Sequence, residues 1–248
     1  MLSSSQIKSM RLGGHKLAAI RDQLVAFTVP GVNLKAIDDL AQELIAQSGG
    51  KPGFMLVPGY RWATCININD GIVHGIPHAH ITIKSGNIVT LDVGLFYQGF
   101  HTDTSTSFVA GVSTPSQRLF LTTGKKALLD AISQARPGHH IGHISQAIEQ
   151  VITSAGYSPL RTLTGHGVGL ALHQPPSIPC FLEGSLEATA PIVPGMTLAI
   201  EAIYAAGSFA TKKLSDGWTI VTADGQPSAV FEDTILITHQ QPEILTHT

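Results

Sequence analysis

Residues 30–49 read PGVNLKAIDDLAQELIAQSG and residues 137–156 read PGHHIGHISQAIEQVITSAG, so the two segments align without a gap at a constant offset of 107. Pro30/Pro137, Gly31/Gly138, Ile37/Ile144, Ile45/Ile152 and Gly49/Gly156 coincide, Leu34/Ile141 is conservative, and Arg11-Leu12 matches Arg118-Leu119 upstream. A chain built this way folds as two related halves. Each copy, over roughly 10–50 and 117–157, reads as helix, Pro-Gly break, helix and glycine stop. Thr114-Pro115 supplies an N-cap followed by proline at the first helical position. Leu34, Ile37, Leu40, Ala41, Leu44 and Ile45 recur at helical spacing and form one buried stripe.

Strand-like runs separate and follow the helix pairs: ATCININ, GIVHGI, NIVTLDVGLF, GFHTDTSTSFVAG, MTLAIEAIYA, WTIVTA and AVFEDTILIT. They are rich in β-branched residues and broken by turn residues such as Asn69-Asp70-Gly71. The order predicts an α+β fold, a single domain over 1–248. It has two pseudo-symmetric halves, each with its helix pair on one face of an antiparallel sheet.

Charge excludes some partners. Fifteen Lys+Arg against 17 Asp+Glu leave −2, which gives no electrostatic basis for binding nucleic acid or an anionic membrane. No apolar run approaches the ~18 residues of a membrane span, and MLSSSQIKSMRLGG lacks the pattern of a secretory leader. Two cysteines cannot build a disulfide framework, so a reducing cytoplasm is the expected compartment. Nothing demands a multimer, and a monomer is expected.

Only 13% of residues are charged, so charges inside apolar strands stand out. Asp92 and Asp103 lie on either side of a turn near Tyr97-Gln98-Gly99. A loop centred between Tyr97 and Gln98 sets them opposite each other, and an even shift of register keeps them on one face. They are either two solvated hairpin acids or a pair held by a cation. Glu201 is the only charge in GMTLAIEAIYAAG, and Glu232 shares a face with Val230, Thr234 and Leu236. An ionised carboxylate in such surroundings must be paired, protonated or metal-bound, and few basic residues are near. In GHGVGLALHQPP (165–176), His166 sits between glycines that allow close approach, and His173 follows. Four carboxylates balance two divalent ions, and with one imidazole they make a set suited to transition metals. A pair of such ions can activate water and polarise a carbonyl.

CININDGIVHGIP (65–77), TLDVGLFYQGFHTDTS (90–105), GHGVGLALHQPP, PGMTLAIEAI (194–203) and FEDT (231–234) together resemble type I methionine aminopeptidases of the pita-bread fold. The resemblance runs from Ile7 to about Thr238. It implies that Asp92 chelates one metal, that Asp103 and Glu232 bridge two, and that His166 and Glu201 hold the other. The ions would be Co, Mn, Fe, Zn or Ni. It further implies Glu201 as general base, His74 near the scissile amide, and His173 at the carbonyl and its oxyanion. Tyr60, Cys65 and Trp218 match positions lining a pocket for a methionine side chain. The implied substrate is the N-terminus of a nascent chain near the ribosome, with a small second residue.

The chain departs from that pattern in places. Gln174 follows His173 where Glu is usual, Leu172 replaces a common bulky aromatic, and Asp233 follows Glu232 where His is usual. GLALH and FEDT lean toward X-Pro dipeptidases, which share the catalytic fold and usually carry a large extra N-terminal domain. An inactive binding protein of the same fold is the third reading. The segment 177–192 is longer than expected.

Overall fold

The computed structural model describes residues 3–247. Four helices carry the repeat: α1 (Ser4–Phe27), α2 (Leu34–Gln47), α3 (Pro115–Gln134) and α4 (Ile141–Ser154). The offset of 107 holds to the residue for both ends of α2 and α4 and for the C-terminal ends of α1 and α3. Local chemistry sets these limits. Ser3 with Gln6 and Thr114 with Gln117 form capping boxes, and Pro115 opens α3. Asn33 Oδ1 accepts the Ala36 N–H at 2.9 Å to start α2. Gly49 (φ +80°) and Gly156 (φ +81°) terminate α2 and α4 in the left-handed region, where a Cβ would be strained.

The strands are β1 (Lys51–Pro52), β2 (Thr64–Ile68), β3 (Gly71–Val73), β4 (Ile88–Tyr97), β5 (Phe100–Val109), β6 (Ser158–Pro159), β7 (Thr164–Gly167), β8 (Gln174–Pro179), β9 (Thr197–Ala205), β10 (Thr211–Lys213), β11 (Ile220–Thr222), β12 (Ser228–Leu236) and β13 (Glu243–Ile244). The large sheet runs β1-β4-β5-β12-β9-β7-β8, with β2 on β4, β6 on β9 and β13 on β12. Strands β10, β11 and β3 form a small second sheet. The duplication extends into the sheet. β1 pairs with β4 and β6 with β9, and β1 and β6 again differ by 107. The halves are not separate sheets, because β5 pairs with β12 and joins them into one.

Both helix pairs pack on the same side of this sheet. Val89, Leu91, Val93 and Leu95 of β4 pack with Leu17, Ile37 and Ile45. Leu198, Ile200 and Ala202 of β9 and Phe231 and Ile235 of β12 pack with Phe120, Ile144 and Ile148. Side chains alternate along a strand, so Asp92, Glu201 and Glu232 project from the opposite face.

The β4–β5 hairpin corrects the predicted register. Gln98 (φ +49°) and Gly99 (φ +89°) make a two-residue turn closed by Tyr97 opposite Phe100. Asp92 therefore faces Ser105, and Asp103 faces Gly94. The displacement is even, so both acids keep the same face. Among the described residues no helix is long and apolar enough to cross a membrane.

Candidate metal centre

Sheet register places the polar side chains in two adjacent rows. One row reads Asp92, Ser105, Glu232, Glu201 across β4, β5, β12 and β9. In the next, Asp103 on β5 and Thr234 on β12 are joined through the Thr234 hydroxyl, Ala199 follows on β9 and His166 on β7. The second row is otherwise small: Gly94, Thr234 and Ala199 leave space above the sheet. A Cβ on Gly94 would lie 2.7 Å from the Phe54 ring, so glycine lets that ring rest on the strand. Gly165 and Gly167, beside His166, are equally constrained, with Cβ positions 2.5 Å from the Ala199 carbonyl oxygen and 2.3 Å from that of Pro175.

Ligand atoms of Asp103, His166 and Glu232 lie within 4.8 Å of one another. His166 Nε2 is 3.5 Å from Glu201 Oε1. His166 Nδ1 sits 2.9 Å from the Gly167 carbonyl oxygen, which holds the proton on Nδ1 and leaves Nε2 as a lone pair toward the acids. Burial lowers the His166 pKa to about 4, so the imidazole is neutral. Burial raises all four carboxyls. Asp103 is pushed up to about 7, and Asp92, Glu201 and Glu232 are raised further by burial and then by neighbouring acids, Asp103 foremost. Asp92 Oδ1 and Glu232 Oε1 are buried without a hydrogen-bond partner. Oxygens of acids left unpaired among other acids are the ligand set of a hard or borderline divalent cation, and the residues fit such an ion.

These groups line a cavity of about 170 Å³. The other residues selected from sequence, His74, His173, Tyr60, Cys65 and Trp218, line the same cavity. His173 meets the His166 ring edge-on at 4.4 Å between centroids. His74 has a left-handed backbone (φ +58°), and burial lowers the pKa of both His74 and His173. Tyr60, Cys65, Phe54 and Leu172 are buried together, with Val57, Trp62 and Trp218 packed against them. Tyr60 stacks edge-on with Trp218 at 5.1 Å and donates to the Thr64 carbonyl at 2.8 Å. Burial, then the nearby Asp92, holds the Cys65 thiol protonated.

Sequence reading missed Phe54, Val57 and Trp62 of this apolar wall. They lie in a short 3-10 turn and loop without periodicity, and only the density of aromatics in GFMLVPGYRW hinted at them. The 177–192 segment packs on α4: Leu182 N–H donates to Glu149, and the Thr189 hydroxyl accepts from Gly142 N–H.

Strand-borne acids and a glycine-flanked histidine beside an apolar pocket define a metal-dependent enzyme site on a two-fold repeated α+β scaffold. Residues 8–239 match metallopeptidase family M24, and the chain belongs to that family. Methionine aminopeptidase 1 of Bacillus subtilis (strain 168) is 35% identical over 237 residues, covering 96% of this chain and 94% of that protein. The methionine aminopeptidase of Clostridium perfringens (strain 13 / Type A) is 34% identical over 245 residues, covering 98% and 97%. The crystal structure of methionine aminopeptidase from Thermotoga maritima superposes with TM-score 0.96 at 34% identity, covering 100% of this chain and 98% of that one. Prolidase from Pyrococcus horikoshii OT3 shares the fold, with TM-score 0.79 at 21% identity, but this chain covers only 63% of it. The α+β pita-bread fold expected from sequence is thus the observed one.

Proposed function

We propose that the chain is a dimetal aminopeptidase, one catalytic unit over 1–248, that removes N-terminal methionine when the second residue is small. The observation that carries this reading is one cavity holding both the acid–histidine cluster and a pocket of Phe54, Tyr60, Cys65, Leu172 and Trp218. A flexible thioether side chain suits such an apolar, aromatic wall. Asp92, Asp103, His166, Glu201 and Glu232 would hold two divalent ions, which supply Lewis acidity and an acidified water when bound.

The chain's own groups then have distinct tasks. The apolar pocket fixes the first side chain and sets the scissile amide over the acids. Glu201 takes a proton from the attacking water. His173 donates an N–H to the carbonyl oxygen as negative charge develops there. His74, lining the same cavity, moves a proton to the departing amine. Both imidazoles are biased to the neutral form by burial, so each can donate or accept near neutral pH. The substrate would be nascent chains near the ribosome, met by a monomer in the cytoplasm, with no nucleic-acid or membrane partner.

The test is hydrolysis of Met-Ala-Ser and Ala-Pro by protein reconstituted with Co²⁺, Mn²⁺, Fe²⁺, Zn²⁺ or Ni²⁺ in turn. Release of methionine from the first peptide alone is expected. Cleavage of Ala-Pro without Met-Ala-Ser would favour the X-Pro reading, to which Asp233 and Leu172 lean. No turnover with any ion would favour a binding protein.

A further inference from the structure

The seam between the two halves has little backbone pairing. β5 and β12 form a ladder at only two residue pairs, Ser105 with Glu232 and Thr104 with Asp233. Hydroxyl groups make the remaining connections. Thr234 Oγ1 accepts the Asp103 N–H at 2.9 Å and donates to the Asp103 carbonyl at 2.8 Å. Ser107 Oγ accepts the Val230 N–H at 2.9 Å, and Thr104 Oγ1 donates to the Glu232 carbonyl at 2.9 Å.

Thr104 and Asp233 follow Asp103 and Glu232 by one residue, so they project to the helix side, away from the cavity. A carboxylate on that packed face is costly unless it is paired. Its partner comes from α1. Arg21 Nη1 donates to Thr104 Oγ1 at 3.0 Å and to the Thr246 carbonyl at 3.1 Å, and lies 3.6 Å from Asp233 Oδ1. Thr246 Oγ1 donates to the same Asp233 oxygen at 2.8 Å, and Asp22 holds the guanidinium from outside at 2.9 Å. One rigid cation thus touches both strands of the seam directly behind Asp103 and Glu232.

We propose that Arg21 is a positioning residue: it locks the β5–β12 seam from the helix side and so fixes the spacing of the Asp103 and Glu232 carboxylates for divalent-ion binding. This rests on the reading of those two acids as cation ligands. Arg21 is absent from the cavity wall and acts only through Thr104 and Asp233. Asp233, which departs from the family's usual histidine, has its reason here as the anion that holds Arg21 under the seam.

The test compares metal-stripped wild type, Arg21→Leu, and the double variant Arg21→Leu/Asp233→Leu, titrated with Mn²⁺ by calorimetry and with Co²⁺ by visible absorption. Arg21→Leu leaves the half-buried Asp233 with the Thr246 hydroxyl but no cation, so it lowers the melting temperature. It also weakens ion affinity by about 10–100-fold, the usual cost of losing a group that orients ligands. The double variant removes the acid that lost its cation and recovers the melting temperature, yet keeps the weakened affinity and an altered Co²⁺ spectrum. Recovery of stability and affinity together would overturn the proposal, as would Arg21→Leu binding with wild-type affinity and spectrum. Should Arg21→Leu fail to fold, the double variant alone decides. Wild type that binds neither ion would instead remove the ligand reading itself.

Discussion

Burial without charge balance is the common property of the site's side chains. Asp103, Glu232 and His166 are at most 8% exposed, and the acids push one another's pKa upward. His166 stands apart because its Nδ1 is committed to Gly167 and only Nε2 faces the cluster. His166→Ala is therefore expected to abolish turnover and to lower Mn²⁺ uptake. His173→Ala should instead spare uptake and reduce kcat by roughly 10²–10³-fold, as for one lost oxyanion donor. Steady-state kinetics paired with calorimetry separates the two. An unchanged kcat in His173→Ala would remove that residue from the carbonyl. Glu232, like Asp92 and Glu201, was legible in sequence because charges are scarce and it interrupts an apolar run, Asp103 because it shares a hairpin face with Asp92, and the histidines because they lie in a glycine-rich run. Phe54 and Val57 were not, since an aromatic or aliphatic residue in a loop looks the same whether it lines a pocket or fills a core.

Elements repeat the lesson at larger scale. Helices α2 and α4 could be delimited from sequence because their breaks depend on local chemistry: a Pro-Gly pair before them and a left-handed glycine after them. The long strands were legible from β-branched runs. The short strands β1, β6, β10 and β13 and the glycine- and proline-rich β7 and β8 were not, because their pairing is imposed by neighbours rather than by propensity. Hairpin register failed by two residues for a similar reason: the turn type, not the composition, places its centre. Close packing of α3 gives a prediction. A Cβ on Gly124 would lie 2.6 Å from both the Phe231 and Tyr204 rings. Tyr204 is anchored through its hydroxyl to the Phe120 carbonyl, and neither ring is free to move away. Gly124→Ala thus forces α3 outward, against its gain in helix propensity, at about 1–3 kcal/mol net. Chemical denaturation should show a lower midpoint at unchanged slope. A midpoint at or above wild type would mean the rings yield.

At the scale of the molecule, the repeat explains why the site lies where it does. Strands β4 and β9 are counterparts under the repeat, as are β5 and β12; Asp92 and Glu201 end one cross-strand row on the outer pair, Asp103 and Glu232 lie on the inner pair, and the four converge where the halves join. Concentrating acid at the seam makes the metal-stripped fold pH-sensitive. Asp103 ionises near the ordinary 3.8 of an aspartate when unfolded and at about 7 when folded. Between these values the fold binds the extra proton, so this group's contribution to stability falls as pH rises, by a few kcal/mol in total. His166 opposes it: with a folded pKa of about 4 against 6.5, it costs stability as pH falls through that window. Comparison with Asp103→Asn cancels the histidine. The amide keeps the acceptor for the Thr104 N–H and cannot ionise. Without metal, Asp103→Asn should therefore gain on wild type from pH 5 to pH 8 and level off above. Added Mn²⁺ should reverse the order at pH 8, since binding to the native state alone stabilises wild type. Thermal melts at both pH values, with and without Mn²⁺, decide it. A difference between the proteins that ignores both pH and ion would mean Asp103 neither carries a raised pKa nor meets a cation.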